Sequence, residues 1–113
     1  MPKITLLGEL AFRGILCSTP EKNSERFKEI SSLLHPDDFV LANLVAPLKV
    51  GEEVNKYKNL IVCSDYQPSK DLLKLLNIKC VSLASNHIYD CMMSGLKATI
   101  NLLDELGIYH TGA

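Results

Sequence analysis

The stretch from Ile78 to Thr111 leaves the chain little choice of architecture. Ile78 to Ala84 is apolar except at Lys79 and Ser82 and is too short for a stable helix, so it reads as a buried strand. Ser94 to Leu106 then places Leu96, Ile100, Leu103 and Leu106 at helical spacing, Gly107 closes that helix, and Ile108-Tyr109-His110-Thr111 begins another strand. Strand, helix and strand in this order make a parallel pair joined by a crossover helix.

The remainder repeats the alternation. Ile4-Thr5-Leu6-Leu7, ending at Gly8, predicts a first strand, and Phe39-Val40-Leu41-Ala42, ending at Asn43-Leu44, predicts a second that is covered on both faces. Asn59 to Cys63 predicts a third short strand. Between them, Ser18 and Glu21 have capping-box spacing for a helix with Pro20 in its first turn and Phe27, Ile30 and Leu34 on one face, broken at Pro36-Asp37-Asp38. A further helix, capped by Ser69, carries Leu72, Leu73, Leu75 and Leu76 and ends at Asn77, which tolerates the left-handed conformation. The expected fold is α/β: a layered, mostly parallel sheet covered by helices. With 113 residues, the span 1–113 is one domain.

Composition narrows the partners. The net charge is −1, and no stretch gathers lysines and arginines into a basic face, so nucleic acid is not expected. No apolar run approaches the roughly 20 residues of a membrane span, and Met1-Pro2-Lys3 leads directly into a strand rather than a secretion signal, so a cytoplasmic chain is expected. Cys17, Cys63, Cys80 and Cys91 form no C-x-x-C pair, and Cys63 and Cys80, lying in apolar runs, read as buried reduced thiols.

In a parallel sheet, ligands bind beside the carboxyl ends of the strands. Three segments lie there: Gly8-Glu9, Asn43-Leu44-Val45 and Ser85 to Asp90. The last places an amide, an imidazole and a carboxylate, those of Asn86, His87 and Asp90, directly after the most apolar strand. The imidazole suits general acid chemistry or a divalent metal, the carboxylate can orient it, and the amide oxygen can ligate. The alternative is that Asn86 and Asp90 make turn hydrogen bonds to backbone amides while His87 packs beside them. His35 reads as a helix-end residue, His110 is undecided, and Glu52-Glu53 with Lys56-x-Lys58 reads as a solvated loop face. Met92 and Met93 read as packing or interface residues.

Val81 to Asp90, followed by Gly95-Leu96-Lys97-Ala98-Thr99-Ile100 and by Leu106-Gly107-Ile108 to Gly112-Ala113, resembles the N-H-x-x-D signature and following helix of bacterial capsule-synthesis proteins of the CapA type, also called poly-γ-glutamate biosynthesis proteins. Ile4 to Glu9 is similar to that family's opening strand and G-D loop, and Val40 to Leu48 to its N-L-E-x-P-L segment, in family order. The resemblance implies the first half of a metallophosphatase-like fold, related to calcineurin-like enzymes. It implies Glu9, Asn43 and Asn86 as ligands of a divalent metal (Mn, Mg or Zn), with His87 facing phosphate and Asp90 steadying the loop or the histidine.

The departures from that pattern are specific. Glu9 stands where the family has aspartate, Val45 replaces a glutamate and cannot ligate, and Cys91-Met92 replace residues that commonly end in glycine. Family members also continue into a second half with further histidine motifs. Two functions follow as expectations: metal-dependent phosphoester chemistry in capsule or poly-γ-glutamate production, or a non-catalytic binding or oligomerisation module that keeps the fold. A polymer or phosphorylated substrate is implied by the first. An uncovered sheet edge and helix face predict a homo-oligomer or a missing carboxy-terminal segment.

Overall fold

The computed structural model describes residues 3–113. Four strands form one sheet: β1 (Ile4–Leu10), β2 (Phe39–Leu44), β3 (Ile78–Ser82) and β4 (Tyr109–Thr111), all parallel and in the order β1-β2-β3-β4. The α/β expectation holds, and the helices are unevenly distributed. Because the strand order never reverses, crossovers of one hand deliver every connecting helix to the same face.

That face holds the core. Val40, Ala42 and Leu44 of β2, with Ile78 and Val81 of β3, pack against Leu72 and Leu73 of α4 (Tyr66–Leu75) and Leu102 and Leu103 of α5 (Met92–Glu105). The opposite face carries Ile4 and Leu6, opposed to Phe39 and Leu41, and then Cys80 and Tyr109 in register. Ile4, Leu6 and Tyr109 are 69%, 74% and 70% exposed, so β1 and β4 are apolar toward solvent on this side. The expectation that β2 is covered on both faces therefore holds on one face only, since Phe39 on the other is exposed.

Two glycine-like positions end helices as the sequence predicts: Asn77 after α4 has φ 55° and Gly107 after α5 has φ 69°. At Gly95 a Cβ would lie 2.4 Å from Cys91 Cβ and 2.6 Å from the Leu48 carbonyl oxygen, so only glycine lets α5 approach the chain after β2. Thr99, one turn on, accepts the Leu48 amide at 2.9 Å and fixes the same contact.

Three expected elements differ. Residues 59–63 form no strand; the nearby pairing is a single parallel bridge from Leu48 to Ser64. The reason is topological: β2 is paired on both sides, by β1 and β3, so no inner edge remains for this segment. The helix expected from Ser18 is a chain of short pieces, α1 (Ile15–Ser18), a 3-10 turn (Pro20–Lys22), α2 (Asn23–Arg26) and α3 (Lys28–Ser32), without the capping box. Polar side chains compete there for the carbonyls: Asn23 Nδ2 donates to Leu16 O, and Arg26 Nη1 to Ile15 O and Thr19 O. Finally, α4 starts at Tyr66 with Asp65 as its flanking residue; Ser69 lies inside it, its hydroxyl on Ser64.

Candidate functional site

The strand-end loop is built around one carboxylate. Asp90 is fully buried, and its two oxygens divide the work. Oδ2 accepts the Val62 amide at 2.7 Å and faces His87 Nδ1 at 2.7 Å; Oδ1 accepts Lys58 Nζ at 2.5 Å. Burial by itself would raise this carboxyl, but the hydrogen bonds from Lys58, Val62 and His87 outweigh it and hold the group below its ordinary value, so it is anionic. An anionic acceptor requires Nδ1 to carry the proton, which leaves Nε2 of a neutral imidazole as an acceptor with no hydrogen-bond partner among the described residues.

The loop itself is shaped by turn bonds. The His87 amide donates to Ser85 Oγ at 3.0 Å, and the Asp90 amide to His87 O at 2.9 Å. Lys58 Nζ additionally donates to the Asn86 carbonyl at 2.7 Å, reaching across from the segment before α4. Sequence reasoning placed Lys58 on a solvated face, yet its side chain is 29% exposed and paired with the buried Asp90. A separation of 32 residues leaves no periodic signal for that pair.

Beside it, Cys63 is joined to Cys91 in a disulfide, so the expectation of a reduced Cys63 is overturned; Cys80 is a free thiol, partly exposed on the open sheet face. Spacing could not reveal the pairing, because the fold alone brings together residues 28 apart. A disulfide persists in oxidising surroundings and is rare in the cytosol, so the cysteines lend no support to a cytoplasmic placement. No described helix is long and apolar enough to cross a membrane.

The other candidate residues lie in a row. Glu9 opposes Asn43, Asn43 opposes Ser82, and Ser82 opposes Thr111, all on the open face at the carboxyl ends of the strands. Glu9 is exposed, and both it and Asn43 belong to strands rather than loops. Asn43 Oδ1 is buried and finds no hydrogen-bond partner among the described residues, an acceptor left open for a donor or cation. Asn86 is exposed, on the loop beyond β3. Among the described residues, no group of three or more His, Cys, Asp or Glu side chains converges as a metal cage. Glu9 is thus the single anion among the three ligand candidates, and Asn43 and Asn86 are neutral amides.

Val45 is 7% exposed and packs with Ala46 and Val62 in a small apolar cluster. Met92 has φ 62°, a conformation that costs a side-chain-bearing residue. His110 bonds to Asp104 Oδ1 at 3.0 Å, and His35 Nδ1 accepts the Asp37 amide at 3.1 Å; each is engaged locally.

The family model described as bacterial capsule synthesis protein PGA_cap matches residues 3–113, and the chain belongs to that family. A search of curated proteins finds no match to it.

Proposed function

We propose that this capsule synthesis protein handles a phosphoester at the carboxyl edge of its sheet, with the His87 imidazole as acid–base group and Asp90 as the residue that orients it. The observation that carries the reading is the His87 Nδ1 to Asp90 Oδ2 contact of 2.7 Å with Nε2 uncommitted. In that arrangement Nε2 takes a proton from an attacking water or returns one to a leaving oxygen, and Asp90 offsets the charge the ring gains. Asn43, Glu9 and Asn86 would hold a divalent ion together with ligands from a further segment. When bound, such an ion supplies Lewis-acid stabilisation of phosphate oxygens. A phosphorylated or poly-γ-glutamate-type substrate, and a segment or second copy completing the site, belong to the same proposal.

The test is turnover of bis(p-nitrophenyl) phosphate with Mn²⁺, Mg²⁺ and Zn²⁺ offered in turn, for the chain beside His87→Ala and Asn86→Ala. Turnover should fall about 10²- to 10⁴-fold in His87→Ala, the usual contribution of a general acid–base group. A well-folded chain that neither binds metal nor turns over leaves the second reading, a non-catalytic binding module. Buried Val45 supports that reading, since it packs in an apolar cluster where the resemblance would set a glutamate.

A further inference from the structure

Lys58 meets the strand-end loop at three atoms: the Asn86 carbonyl at 2.7 Å, Asp90 Oδ1 at 2.5 Å and His87 Nδ1 at 3.4 Å. An ammonium group donates and never accepts. It therefore occupies one carboxylate oxygen and the loop carbonyl, and leaves Oδ2 as the oxygen of Asp90 that faces the ring. The contact distances separate the two roles, because Nδ1 is 2.7 Å from Oδ2 but 3.4 Å from Nζ, so the ring proton goes to the carboxylate rather than being displaced by the ammonium.

We propose that Lys58 is a positioning residue for His87: by pinning Asp90 Oδ1 and the Asn86 carbonyl to one cation, it fixes the ring plane and the Nδ1–H tautomer and presents Nε2 outward. The kinetic consequence rests on the reading of His87 as the acid–base group; the ring geometry does not. Lys58 is independent of the other ties between these segments. The Val62 amide on Asp90 Oδ2 and the Cys63–Cys91 disulfide both hold the two stretches together without it.

The experiment records long-range ¹⁵N–¹H correlations of the histidine side chains in alkaline buffer, where free imidazoles are neutral. Native chain, Lys58→Met, Lys58→Gln and Lys58→Arg are compared, with bis(p-nitrophenyl) phosphate kinetics in parallel. The native His87 should show a protonated Nδ1 and an unprotonated Nε2. In Lys58→Met the two nitrogens should move toward averaged tautomers, with Lys58→Arg restoring the native pattern; Lys58→Gln, which keeps a hydrogen-bonding group, serves should Lys58→Met fail to fold. Where turnover is present, kcat should fall about tenfold to a hundredfold in the neutral variants with KM little changed, the scale expected for a misplaced catalytic group. Native ring signals in both neutral variants overturn the proposal. Absent turnover with the expected ring change removes the phosphoester reading and upholds the positioning role.

Discussion

Two parts of the molecule attach to the same sheet by opposite means. Around the strand-end loop, the ties span long stretches of chain: Lys58 to Asp90 across 32 residues, Val62 to Asp90 and Cys63 to Cys91 across 28, and Leu48 to Thr99 across 51. Between Ile15 and Leu34 the side-chain hydrogen bonds are local, the farthest being Arg26 to Ile15 across 11 residues. Long-range ties cost more chain entropy to form, and they transmit a local change to the whole structure. Leu16, Phe27 and Leu34 of the amino-terminal stretch pack against the core, so that region is held to the sheet by apolar contact, whereas the site is held by polar and covalent ties between distant segments. The disulfide alone, closing a loop of this size, contributes about 3.6 kcal/mol in the chain-entropy account.

The sharpest way to break the contrast is at its hub. Asp90→Asn removes the buried anion shared by Lys58, Val62 and His87 and leaves Lys58 without its counter-charge. Denaturant unfolding should show a loss of about 3 kcal/mol, the scale for one partner of a buried pair. Acid should reveal the same group. Its folded value is depressed, so its stabilisation is complete above the ordinary 3.8 and is lost as pH falls from there through the folded value. The native chain should lose stability in that acid window, and Asp90→Asn should lose less.

An intermediate effect of opposite sign is expected at Met92, where the left-handed backbone carries a side chain. Met92→Gly should raise stability by about 1 kcal/mol, read as a higher Tm, because glycine adopts this conformation without the Cβ penalty. An unchanged or lowered Tm would mean that the packing of the methionine side chain offsets the strain. Smallest of all should be Leu6→Thr on the open sheet face: with 74% exposure there is little burial to lose, and the change should stay within about 0.5 kcal/mol. A much larger loss there would show that something covers this face in solution and would erase the contrast.

The elements legible in the sequence are those fixed by local chemistry. The apolar run at β3, the helical spacing of α5, and the left-handed stops at Asn77 and Gly107 each declare themselves within a few residues. Asn86, His87 and Asp90 stand out for the same reason, being close together in the chain; the structure joins the His87 and Asp90 side chains, while Asn86 takes part through its backbone carbonyl. Residues 59–63 form no strand because an apolar run becomes one only where it lies along an unpaired sheet edge, and both edges of β2 are taken by β1 and β3, a property of the topology and not of the run. Lys58 and the Cys63–Cys91 pairing were invisible because their partners come from the fold.

The unreversed strand order also bears on how the molecule is made. Each strand pairs with the one that precedes it in the sequence, so β2 needs only the edge offered by β1, β3 only that of β2, and β4 only that of β3. A chain leaving the ribosome amino end first can therefore extend its sheet one strand at a time, every arrival meeting a partner already synthesised. Among the described strands none is inserted late between two earlier ones, so each long-range pairing forms against an edge already in place.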